Sequence, residues 1–136
     1  MPVEYRSDVL RRTLATLHRT APDVRGSAII TMDGLVITLF PPGWDSNIQD
    51  PTGGENVAAI SAVVVGQAEK TMKRLAQGEL ERILMEGENG TIAVFPITAD
   101  SALAMLIKKD AKLGLTLHAA RHAADDLRDI LKKESG

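Results

Sequence analysis

Residues 26–39 read Gly26-Ser27-Ala28-Ile29-Ile30-Thr31-Met32-Asp33-Gly34-Leu35-Val36-Ile37-Thr38-Leu39. Two runs rich in Ile, Val and Thr, Gly26–Met32 and Leu35–Leu39, flank a single Asp33-Gly34 pair. That pair is the strongest short-range signal for a two-residue hairpin, because both turn positions need a positive φ. The chain therefore contains an antiparallel strand pair here.

Upstream, Leu10, Leu14, Leu17 and Ala21 fall four, three and four apart, on one face of a helix over Val3–Thr20. Pro22 stops it, since proline disfavours helical geometry in the residue before it. His18 stands alone and is expected to face solvent. Downstream, Phe40–Gly54 is a long irregular loop holding the lone tryptophan, Trp44. Loops of that length are functional or disordered. Trp44 either folds back as a lid over a sheet face or anchors a partner, a role in which tryptophan is enriched.

A second helix spans Glu55–Gln77. Val57, Ile60, Val64, Ala68, Met72 and Leu75 form one stripe, and Ala58, Ala62 and Val65 fill a second side before Gly66. No charge occurs between Val57 and Gln67. A helix apolar all round is buried on more than one side. Three strands follow, at Leu80–Glu86, Thr91–Ile97 and Ser101–Lys108. The first is polar enough for an edge. The other two are apolar on both alternating sides and need cover on both faces. A last helix over Leu113–Lys133 carries a narrow seam of Leu113, Leu117, Ala120, Ala124, Leu127 and Leu131.

The fold class expected is therefore α/β in layers: a five-stranded antiparallel-type sheet with helices on both faces, in the order α-β-β-α-β-β-β-α. Residues 1–136 form a single domain. Five strands make a sheet roughly 24 Å wide, and a helix is about 10 Å across. If the first and last helices share one face, the middle helix alone leaves the other face incompletely covered. Self-association is the simplest remedy, with two middle helices side by side and two edge strands paired. The interface expected from this reading is Ala58, Ala62, Val65 and Gly66, with Leu80, Arg82 and Leu84 from the edge strand.

The segment Val24-Arg25-Gly26 through Val36-Ile37, the small-residue helix Ala58-Ala59-Ile60-Ser61-Ala62 and Leu113-Gly114 at the last helix resemble the roadblock/dynein-light-chain domain family. The similarity is to its bacterial and archaeal branch, which includes the Mgl-type partner of a gliding-motility GTPase. It covers nearly the whole chain, and the 40–54 loop looks longer than the family usually has. The resemblance implies a roadblock/longin/profilin-like fold and a homodimer with a continuous ten-stranded sheet. It also implies a non-catalytic adaptor or regulator of a Ras-like small GTPase. For that partner's surface the residues expected are Glu69, Lys70, Lys73 and Arg74, with Trp44. A scaffold subunit without effect on GTP turnover, and a small-molecule sensor using a cavity lined by Trp44 and Phe40, are the alternatives.

Composition narrows the chemistry. The chain has 136 residues, a formal charge of −2 and no cysteine. At this length about two-thirds of the unfolded surface can be buried, so no disulfide or metal is needed for folding. Thiol nucleophiles and thiolate metal sites are excluded, and a reducing cytoplasm is expected. A mildly acidic chain with Tyr5, Phe40, Trp44 and Phe95 as its only aromatics lacks the basic face and stacking platform of a nucleic-acid binder. Its apolar runs fall far short of the ~20 residues of a membrane span.

His118 and His122 are four apart, which is zinc-ligand spacing, but Ala119 stands where a zinc-protease helix has glutamate. Thr52-Gly53-Gly54 precedes a helix without the Lys-Ser/Thr pair of a phosphate loop. Asp125, Asp126 and Asp129 read as a solvated helix face. Lys108, Lys109 and Lys112 read as a small basic patch. No catalytic, cofactor or metal residue is assigned, and the chain is read as no enzyme.

Overall fold

The computed structural model describes residues 3–45, 47 and 49–135, the side chains of residues 3–6, 134 and 135 excepted; Ser46 and Ile48 of the long loop lie outside the described residues. In chain order the elements are α1 (Val3–Thr20), β1 (Val24–Thr31), β2 (Val36–Phe40), α2 (Gly54–Arg74), β3 (Ile83–Gly87), β4 (Gly90–Thr98), β5 (Ser101–Lys108) and α3 (Leu113–Ser135). The strands form one sheet in the order β2-β1-β5-β4-β3. Every ladder is antiparallel. The last strand thus inserts between the first hairpin and the β3–β4 pair.

β1 and β5 sit at the centre and are buried on both faces. One face carries α1 and α3. Leu10, Leu14 and Leu17 of α1 meet Leu103, Met105 and Ile107 of β5 and Leu127 of α3 in one core. Ala119, Ala120, Ala123 and Ala124 line the α3 side, and small side chains let the two helices approach closely. Fully burying one leucine here is worth about 1.5–3 kcal/mol. The opposite face carries α2, packed on Ala28, Ile30, Val94, Ala102 and Ala104.

His18 departs from expectation. It is half-buried, not solvent-facing. Its Nε2 lies 2.8 Å from Ser27 Oγ on β1, and its ring stacks at a tilt on Phe40, with centroids 4.6 Å apart. Burial pushes its pKa from 6.5 down to about 4, against a smaller upward pull from the Val24 backbone. A base whose folded-state pKa is depressed takes up a proton on unfolding. Stability is therefore complete above pH 6.5 and declines as pH falls toward 4. Melting temperature should drop across that window. The change His18→Gln should remove a part of the drop, of order 1 kcal/mol after allowance for solvent screening of a partly exposed ring. Identical pH profiles for the two proteins would assign the acid loss elsewhere.

Candidate protein-binding face of the middle helix

The long loop is pinned before it reaches α2. Trp44 is half-buried, and its indole N–H donates to the Thr52 carbonyl at 2.8 Å. A Cβ built on Gly26 of β1 would stand 2.4–2.6 Å from three indole carbons, and one on Gly54 would stand 3.1 Å from the same ring. The two glycines therefore make the floor on which the ring lies. Trp44 acts as a lid over β1, so its expected role as a partner anchor competes with contacts it already makes. Phe40 lies on the opposite sheet face, against His18 and the α1/α3 core, whereas Trp44 packs on the α2 side. No single cavity can be lined by both, which removes the basis offered for a small-molecule sensor.

The residues just before α2 bind one another. Thr52 donates both its backbone N–H and its hydroxyl to Asp50 Oδ1, at 2.9 and 2.7 Å. These bonds, the hydroxyl's foremost, hold the Asp50 carboxyl below its usual range. Asn56 Nδ2 donates to the Pro51 carbonyl at 2.8 Å. The segment is a tied turn.

On α2 itself the inner side is Val57, Ala58, Ser61, Ala62 and Val65. This corrects the interface expected from sequence. Ala58 and Val65 are 0% exposed and Ala62 8%, all within one copy of the chain. The reason is the shape of the sheet beneath. Ala28, Ala102 and Ala104 present a shallow surface, and a helix ridge of equally small residues fits closest to it. The larger stripe is displaced sideways. Ile60 is 53% exposed and Val63 67%, while Val64, Ala68 and Met72 are half-buried. The unmet apolar surface predicted for this helix exists, but on the flank of Ala59, Ile60, Val63 and Gly66. Gly66 is exposed.

Beyond Gln67 the helix becomes polar. Glu69, Lys70, Lys73 and Arg74 are all exposed. The ion pairs among the described residues are Asp8–Arg11, Asp23–Lys108 and Asp125–Arg128, so none of these four is engaged in one. Leu75, the C-cap, is 60% exposed.

The edge-strand residues are divided. β3 starts only at Ile83, so Leu80 and Arg82 precede it. Leu80 is half-buried against the α2-side core, and Arg82 is exposed. Leu84 pairs in register with Ala93, whose side chain belongs to the α1/α3 core, so Leu84 faces that side. β3 is nevertheless an edge, with β4 its one neighbour.

The remaining candidates are structural or separate. The His118 and His122 rings meet edge to face at 4.6 Å. No group of three or more His, Cys, Asp or Glu side chains placed to hold a metal occurs among the described residues. Asp23 joins two of the basic cluster, accepting from Lys112 N–H at 2.9 Å and pairing with Lys108 Nζ at 3.2 Å. Its carboxyl is held below the usual range, by the Lys112 N–H first. Among the described residues no helix is long and apolar enough to cross a membrane.

The family model for the Roadblock/LC7 domain matches residues 12–107. The chain belongs to this family. Among curated proteins, the Methanocaldococcus jannaschii protein MJ0714 is 31% identical over 120 residues, covering 88% of this chain and 94% of that protein. A second protein of the same organism, MJ0310, is 29% identical with 88% and 97% covered. Among solved structures, the gliding protein MglB from Thermus thermophilus superimposes with a TM-score of 0.80 at 17% identity, covering 94% of this chain and 92% of that one. Profilin IA of Acanthamoeba castellanii reaches 0.53 at 13% identity, with 85% and 95% covered. At such identities the two structures share the fold. They place this roadblock domain in the roadblock/profilin-like architecture that the family resemblance implies.

Proposed function

We propose that this roadblock chain is a homodimeric adaptor, without chemistry of its own, that binds a Ras-like small GTPase and modulates its GTP hydrolysis, nucleotide state or localisation in the cytoplasm. The observation that carries self-association is the exposure of Ile60 and Val63 on the α2 flank turned away from the chain's own sheet. Such apolar surface, continuous with an unpaired strand edge, marks an interface. The GTPase follows from the family resemblance. The unpaired cations Lys70, Lys73 and Arg74 at the end of the same helix supply a polar rim for it.

Light scattering at micromolar concentration should give the mass of two chains. Pull-down with GDP-loaded and GTP-analogue-loaded small GTPase of the same organism should show capture that depends on the nucleotide. The double change Lys73→Glu, Arg74→Glu should weaken that capture by about tenfold or more. Capture with unaltered hydrolysis and exchange would make the chain a scaffold. No capture of any nucleotide form would remove the GTPase from the reading.

A further inference from the structure

The sheet has two edges, β3 and β2, at opposite ends of the strand order. The homodimer reading uses β3. It leaves β2 with a row of backbone N–H and C=O groups turned outward. Proteins blunt such edges with lysine, proline or an inward-pointing charge. Residues 35–40, Leu35-Val36-Ile37-Thr38-Leu39-Phe40, contain none of these. Leu35 is 66% exposed and Ile37 38%. The register against β1 shifts between Val36 and Thr38, so Ile37 is the extra residue of a bulge, a device that re-aims a side chain. The edge is also held firmly. A Cβ built on Gly34, just before β2, would stand 3.2 Å from Ala59 Cα of α2, and one on Gly54 would stand 3.1 Å from Leu39 Cδ2. Thr38 is buried, and Val36 and Leu39 pack on the α2-side core. A strand fixed in this way loses little freedom when another joins it.

A cleft of about 920 Å³ runs along this edge. Arg11 of α1 borders it from one face of the sheet and Glu55 of α2 from the other, with Pro42 and Asp45 of the long loop beside them. Arg11 already has Asp8 3.8 Å away. Neither Asp45 nor Glu55 is in an ion pair among the described residues. The surplus charge is therefore negative, and Asp33, exposed in the turn before β2, adds to it. These charges decide against a second β2 as the occupant. Two such edges pairing antiparallel about a twofold axis normal to the sheet keep each face with its like, so Glu55 is carried toward Glu55 and Arg11 toward Arg11. Like charges opposed across a strand pair are destabilising. A strand's side chains alternate in direction. A strand with cations on one side and apolar groups on the other can thus set its cations toward Glu55 and Asp45 while shielding Leu35 and Ile37 from water.

We infer that the β2 edge seats an extended segment of a partner protein, added as a further strand to this chain's sheet, in which valine or isoleucine alternates with lysine or arginine. Main-chain hydrogen bonds to β2 supply affinity. The cations facing Glu55 and Asp45 select the partner. The seat lies at the far end of the sheet from β3, so a homodimer presents two of them.

The probe is a short peptide with blocked ends in which lysine alternates with valine; its control has glutamate in place of every lysine. Added to the full chain up to millimolar concentration, the lysine peptide should slow amide hydrogen exchange over residues 35–39 by about tenfold or more, without slowing it further over 83–87. The glutamate peptide should leave both stretches unchanged. Leu35→Lys and Glu55→Lys alter exposed positions and should fold. Each should weaken the lysine peptide by about tenfold or more, and Glu55→Lys should admit the glutamate peptide. Val63→Asp, a change outside this cleft, should take the lysine peptide as the native chain does, so loss of the homodimer leaves the seat standing. No slowing over 35–39 would overturn the seat. Equal slowing by both peptides would overturn the basic partner. Protection of 35–39 that grows with the concentration of the chain alone would make a second copy the occupant and overturn the proposal.

Discussion

Gly26→Ala is expected to melt about 5–10 °C below the native chain. A Cβ at this position would stand 2.4–2.6 Å from three carbons of the Trp44 indole, closer than any van der Waals contact allows. The ring is rigid, hydrogen-bonded through its N–H to Thr52, and also close to the position of a Gly54 Cβ. It cannot slide aside without releasing the loop. Overpacking of this kind costs about 1–3 kcal/mol, and each kcal/mol moves the melting point of a chain this long by about 2–4 °C or more.

Gly114→Ala supplies the control. No atom lies within 4 Å of a Cβ built there, and the residue is helical, so the change should be neutral or stabilising by up to about 1 kcal/mol. Adding Trp44→Leu to Gly26→Ala should recover part of the loss by freeing space over β1. A Gly26→Ala protein that melts with the native one would mean that the indole does not rest on β1.

Val63→Asp should abolish self-association at micromolar concentration, raising the dissociation constant by about 10²–10⁴-fold. Val63 is 67% exposed in one copy of the chain, so the protomer loses little when it changes. In the dimer the valine is removed from water twice, once per copy. Burying each is worth about 1.5–3 kcal/mol, and 1.4 kcal/mol is a factor of ten in affinity. An unpaired carboxylate in the interface adds a desolvation cost. The contrast with Ala58→Asp is diagnostic. Ala58 is 0% exposed, so its aspartate should unfold the protomer rather than merely separate two of them. If Val63→Asp remains fully dimeric, the exposed flank of α2 is not where the copies meet.

The first helix and the last strand were legible residue by residue. Leu10, Leu14, Leu17 and Ala21 predict α1 with the bounds the structure shows, and β5 likewise runs over Ser101–Lys108 as expected. Both carry a signal that neighbours in sequence suffice to produce, either a single apolar stripe or an unbroken apolar run closed by lysine. α2 does not. Apolar on two flanks, it offers two candidate inner faces, and the one bearing Ala58, Ala62 and Val65 turns to the chain's own sheet. The choice is made by Ala28, Ala102 and Ala104 on strands distant in sequence.

His18 shows the same limit on a smaller scale. Its partners, Ser27 and Phe40, come to it from two different strands. Trp44 could be read from sequence as lid or anchor. The glycine beneath it gives the ring its seat, because Gly26 leaves a ring-sized space only once β1 is part of a sheet.

What the sequence determined by itself is the order and kind of the elements, the absence of a cysteine thiol and a middle helix with more apolar surface than one side of a sheet can absorb. These follow from periodicity, turn chemistry and composition, which act over a few residues at a time. The strand order, with β5 between β1 and β4, and the flank of α2 left facing water were decided by tertiary structure. Both depend on which non-local surfaces pack closest, a competition in the volume and shape of side chains that meet only when the chain is folded.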